Sequence, residues 1–151
     1  MIISELGVVA AFVALVLLFW SPLLAMKHLR ELFRWPTSWL LVNYLLIGTG
    51  IIVVQTVSYF VIMLLVAGTG TVTGSDAVGI VGGILAADLL LPGAIALASL
   101  RILPARGYWT PNGDGVSGRI DLGIGVIWYA IITSVLFGFF GLVLMFVNMP
   151  M

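Results

Sequence analysis

The sequence predicts an all-α integral membrane protein: four transmembrane helices in two hairpins, with a short amphipathic interfacial helix between spans one and two. Three observations carry this expectation. Of the 151 residues, 62% are hydrophobic and 8% charged, more apolar surface than a water-soluble core of this length can hide. The apolar residues gather in four long runs, and all six Lys and Arg residues fall in two of the segments between them. Residues 1–151 therefore read as a single membrane domain, with spans at approximately 3–23, 39–67, 77–100 and 120–147.

The first run extends from Leu6 to Trp20 and continues past Ser21-Pro22 to Met26. It reaches the roughly 20 residues that cross a hydrocarbon core only when a flank is included. Glu5 stands where a secretory signal would carry positive charge, so this segment reads as a retained span. The second run, Trp39 to Gly68, is longer than a crossing requires and predicts tilt or projection. The third covers Ala77–Leu100 and the fourth Ile120–Val147. Backbone groups in lipid need partners within the segment, and four spans are too few for a closed barrel, so all four must be helices.

Between spans one and two, Ala25, Met26, Leu29, Leu32 and Phe33 recur at helical spacing, with Lys27, Arg30, Glu31 and Arg34 on the other face. Ser21 and Pro22 suit a helix start, and Pro36 a stop. The apolar stripe can bury in the inner headgroup plane, leaving Lys27, Arg30 and Arg34 to contact lipid phosphates. It can equally bury against the bundle or another subunit.

The second basic segment, residues 101–119, is a succession of turns containing Pro104, Gly107, Pro111 and Asn112-Gly113. The Asn112 and Asp114 spacing opens like an oxygen-ligand calcium loop. Val116 stands where a further ligand belongs, however, and no bidentate glutamate follows, so no metal is expected. Lys27, Arg30 and Arg34 in one segment and Arg101, Arg106 and Arg119 in the other place both segments on the cytoplasmic side. Both termini and the 69–76 loop then lie on the non-cytoplasmic side. Trp20, Trp35, Trp39 and Trp109 fall near the inner interface, where indoles anchor.

One residue departs from the apolar pattern. Asp88 is the only carboxylate away from the ends of a span and lies close to the bilayer centre, where an aspartate costs about 2.5–3.5 kcal/mol even on insertion scales. Counting about 1.5 Å per residue from the span ends brings Gln55 and Ser134 to the same depth. Gln55, Asp88 and Ser134 thus form a candidate polar layer. At about 100° per residue, Asp88 shares a face with Val81, Ile84, Pro92, Ile95 and Ser99, nearly opposite a Gly79 and Gly83 face suited to close packing. Ser134, Gly138 and Gly141 make a second small-residue stripe on span four. Span three thus needs cover on both sides, which the four helices of the chain can supply but other subunits or further copies of the chain would supply more easily.

These features bound the function. There is no cysteine, and the single histidine, His28, cannot build a zinc site alone. No nucleophile–base pair, paired carboxylates or cofactor fingerprint is present, so neither an enzyme nor a bound cofactor is expected. Zero net charge and the absence of a basic field exclude nucleic acid. The expected partners are membrane lipids and other membrane subunits or copies of the chain. The expected role is a non-catalytic structural or accessory subunit. The alternative is a small oligomeric ion or proton channel or transporter with Asp88 at mid-membrane.

Overall fold

The structure is a computed structural model that describes residues 2–111 and 117–147; the Asn112 and Asp114 turn lies outside the described residues. It is all-α. Helix α1 spans Ile2–Trp20, followed by a 3-10 turn at Ser21–Ala25 and the short α2, Lys27–Leu32. Helix α3 spans Leu40–Ala67, α4 Gly74–Ala105 and α5 Gly118–Val147. Three helices, α3, α4 and α5, are long and apolar enough to cross a membrane, making the chain a multi-pass membrane protein. The apolar helical run at the first helix, Val9–Ala25, is shorter.

Local chemistry sets the ends of these helices. Gly68 closes α3 at φ 61°, a backbone conformation that side chains with a Cβ resist, while its amide donates to the Leu64 carbonyl at 3.0 Å. Thr73 and Asp76 form a reciprocal capping box at the start of α4. Before α3, the buried Asn43 amide spends its full capacity on the preceding turn. Its Nδ2 donates to the Phe33 and Thr37 carbonyls, and its Oδ1 accepts from the Thr37 amide and hydroxyl.

Helix α4 packs against both α3 and α5, and α1 closes the ring by touching α3 and α5. Gly48 lets Leu17 of α1 approach α3, since a Cβ there would overlap a Leu17 methyl. Polarity is reversed relative to a soluble bundle. No more than 17% of the most apolar stretch of α3, α4 or α5 is buried, and Leu64, Leu90, Ile131 and Phe139 face outward while Asn43, Gln55 and Asp88 lie inside. Such an arrangement suits a hydrocarbon solvent, in which outward leucines cost nothing and inward polar groups hold the helices in register.

The linker between α1 and α3 differs from a single amphipathic helix. Met26 breaks it in an extended conformation, and Ser21 bonds back to the Leu18 carbonyl at 2.6 Å rather than capping a helix. The apolar stripe is covered by protein only in part, with Met26, Leu32 and Phe33 half-buried and Ala25 exposed. Leu29 is buried with Trp109 and Leu122, and Gly125 of α5 leaves room for its side chain. Lys27, Arg30 and Arg34 remain exposed. Of the four tryptophans expected at the interface, Trp35 and Trp39 are exposed whereas Trp20 and Trp109 are core residues.

Candidate functional site

The polar layer is built from three helices. Asp88 lies near the middle of α4 and has no solvent-accessible surface. It shares its buried face with Ile84, Pro92 and Ser99, and α4 runs unbroken through Pro92. From α3, Gln55 Nε2 donates to Asp88 Oδ1 at 3.1 Å, and the Tyr59 hydroxyl donates to the same oxygen. From α5, Ser134 Oγ donates to Asp88 Oδ2 at 2.8 Å. The Tyr129 hydroxyl extends the network by donating to Gln55 Oε1 at 2.7 Å. Gln55 and Ser134 thus both bond Asp88 directly, joined by Tyr59, which the sequence places just past the centre of the second span, and by Tyr129, which depth counting does not single out.

Residues match the family model described as Domain of unknown function (DUF8162) over 2–148, nearly the whole chain. The chain belongs to the DUF8162 family. No curated protein and no solved structure matches it.

The chemistry of this DUF8162 layer is one-sided. Every neighbour aimed at the carboxylate is a neutral hydrogen-bond donor, and no Lys, Arg or His reaches it among the described residues. Gln55 turns its amide nitrogen toward Asp88 and its oxygen toward Tyr129, so acceptor oxygens do not converge as a metal cation requires. Among the described residues no cluster of three metal-ligating side chains occurs. The two carboxylate oxygens also differ: Oδ1 is fixed by α3, whereas Oδ2 accepts from the Ser134 hydroxyl, a group able either to donate or to accept.

The cover needed on both sides of α4 comes from within the chain, with α3 on one side of Asp88 and α5 on the other. A single stripe of α3 serves two purposes. Gln55 and Tyr59 reach Asp88, while Ile62 and Val66 lie against Gly83 and Gly79, where an added Cβ would stand 2.7 and 3.0 Å away. Gly138 and Gly141 of α5 have no neighbouring atom within 4 Å of an added Cβ, so they do not form a close contact inside the chain.

Two cavities flank the layer. One, of about 190 Å³, lies among α1, α3 and α5 and is lined by Gln55, Tyr59 and Tyr129 as well as apolar side chains. The other, of about 110 Å³, is lined by Leu29, Pro92, Leu122 and Tyr129, among others, toward the α2 end. Tyr129 borders both.

A second buried polar pair was not singled out in the sequence. His28 of α2 lies with its Nδ1 2.9 Å from Asp121 Oδ2 in the first turn of α5. Trp109 Nε1 donates to the His28 carbonyl at 3.0 Å, and its ring meets the imidazole edge-on. The two segments that carry all the basic residues are therefore tied together at one end of the bundle.

Proposed function

We propose that the chain is a small membrane transport protein, a proton channel or transporter in which Asp88 takes up and releases the transported proton. The carrying observation is the fully enclosed Asp88 carboxylate, held by neutral donors from two other helices with no cationic partner among the described residues. Intramembrane carboxylates are costly and commonly mark ion or proton paths. A proton suits this donor set better than a metal cation, because protonation at Oδ2 asks only that the Ser134 hydroxyl turn from donor to acceptor. Tyr129 stands between the two cavities and is bonded to Gln55, so a change at Asp88 can be felt on both sides of the layer. The proposed activity is non-catalytic.

In this reading the chain is one membrane domain of four spans, α1, α3, α4 and α5. The basic segments face the cytoplasm and the termini face away from it. The transport reading draws more support than an accessory subunit, since α3 and α5 of the same chain already shelter Asp88.

Reconstitution tests it. Liposomes containing the purified chain and an internal pH-sensitive dye are driven by a valinomycin potassium potential. Proton flux above that of empty liposomes is expected, falling at least tenfold in Asp88→Asn and partially in Ser134→Ala. Flux in Asp88→Asn equal to that of the unaltered chain would overturn the assignment.

A further inference from the structure

The cavity among α1, α3 and α5 carries two features that the polar layer does not use. Its lining is dominated by apolar and aromatic side chains, including Phe12, Val16, Ile52 and Leu136. Among the described residues, two buried side-chain polar atoms have no partner in good hydrogen-bond geometry, Trp20 Nε1 and Thr133 Oγ1, and both residues line this cavity; the Thr133 hydroxyl is also near enough to the Tyr129 phenol to interact with it, whereas the indole N–H has no such neighbour. Trp20 is only 4% exposed, with its indole against the Tyr129 ring at 4.6 Å between centroids.

An indole N–H is a donor and nothing else, and a threonine hydroxyl can donate as well. Leaving such groups unpaired in a buried site forfeits their hydration without return, and native proteins rarely do so. An apolar cavity of roughly 150 Å³ holds a benzene molecule, so about 190 Å³ accommodates one substituted ring. A single water would answer the donors and leave most of an apolar volume unfilled. An apolar body bearing one acceptor oxygen satisfies both.

We infer that this cavity is a binding site for a ring-sized apolar molecule, or the equivalent length of lipid chain, carrying a carbonyl-type oxygen that accepts hydrogen bonds from Trp20 Nε1 and Thr133 Oγ. The inference does not rest on Asp88 carrying a proton. The occupant would touch Gln55, Tyr59 and Tyr129, the side chains that hold Asp88, and so would sit against the polar layer from one side.

The test reads the indole rather than transport. The full chain, labelled with 15N-tryptophan, is placed in nanodiscs of ether-linked phospholipid, which lack ester carbonyls. Trp20→Phe assigns the Trp20 resonance. Trp109 and Trp128 are internal standards, because their indoles already donate to the carbonyls of His28 at 3.0 Å and Phe19 at 2.9 Å. Acetophenone is expected to move the Trp20 N–H resonance downfield in a saturable way while both standards stay in place. Ethylbenzene, which lacks the oxygen, is expected to produce no such shift. Thr133→Val should weaken the acetophenone response about 3- to 10-fold, the loss of one neutral hydrogen bond.

In ester-linked nanodiscs, a Trp20 resonance already downfield and displaced only by competing acetophenone would identify a lipid acyl ester as the source of the same chemistry. An unshifted resonance that responds to acetophenone would identify a free solute. No saturable shift in either disc, or water cross-peaks at the Trp20 N–H in both, would overturn the inference while leaving the Asp88 proposal standing.

Discussion

His28 Nδ1 and Asp121 Oδ2 are 2.9 Å apart, joining α2 to the first turn of α5 across 93 positions of sequence. Both residues are buried, so removing either leaves the other without its partner. His28→Ala and Asp121→Ala are each expected to lower stability by about 1–3 kcal/mol. The double substitution should cost less than the sum of the two, because residues in direct contact are not additive. Unfolding in micelles by denaturant measures all three. Simple additivity would mean that the contact contributes nothing of its own.

Asp88 gives a graded prediction. Asp88→Asn keeps an acceptor for Gln55 and Tyr59 and is expected to leave helix content and the unfolding midpoint nearly unchanged. Asp88→Leu strands the donors of Gln55, Tyr59 and Ser134. At about 0.6 kcal/mol for each hydrogen bond within a membrane bundle, the loss is about 2 kcal/mol. Equal midpoints for the Asn and Leu variants would show that the donors find other partners.

The glycines separate by neighbour. Gly83→Val is expected to disrupt the α3–α4 contact, because even a Cβ would stand 2.7 Å from Ile62 Cγ2. Gly118→Ala should destabilise the start of α5, since its Cβ would meet Pro111 Cα at 2.8 Å and backbone cannot yield as a side chain can. Gly138→Ala and Gly141→Ala should be neutral or stabilising by up to about 1 kcal/mol, the difference in helix propensity. Thermal unfolding of the four variants in one detergent checks the ranking.

Topology can be read without background, because the sequence contains no cysteine. Ser75→Cys, in the first turn of α4, is expected to react with a membrane-impermeant maleimide on intact cells. Tyr108→Cys, in the exposed turn after α4, should react only after permeabilisation. The reverse pattern would invert the orientation read from the basic segments.

Much of this layer was legible because depth in a membrane helix is proportional to residue count. Gln55, Asp88 and Ser134 can be matched by arithmetic from the span ends, and they meet in the structure. Tyr59 falls just past that depth and reads only as a residue able to line a crevice, and Tyr129 is not found that way, because a long phenol reaches a turn or more from its own Cα. The signal available for Tyr59 was its place four residues after Gln55, on the same helical face.

The His28 pairing was hidden for a different reason. A single histidine is too little for zinc, Asp121 stands at the very start of the fourth apolar run, and no periodicity connects α2 to α5. The apolar stripe of α2 carried no information about what would cover it, since Leu29 buries as readily in protein as in lipid. Trp20 and Trp109 likewise have the composition of interfacial anchors, and only the packing of the bundle makes them core residues.

The division of Asp88's partners between two helices also bears on how the chain is made. Synthesis proceeds from the N-terminus, so α3 precedes α4 and α5 follows it. When the costly carboxylate enters lipid, Gln55 and Tyr59 are already there to receive Oδ1, and the 68–73 connection is short enough to bring them together at once. Ser134 arrives last and completes Oδ2. The α3–α4 hairpin is therefore the natural unit of insertion, and α5 the helix that locks it.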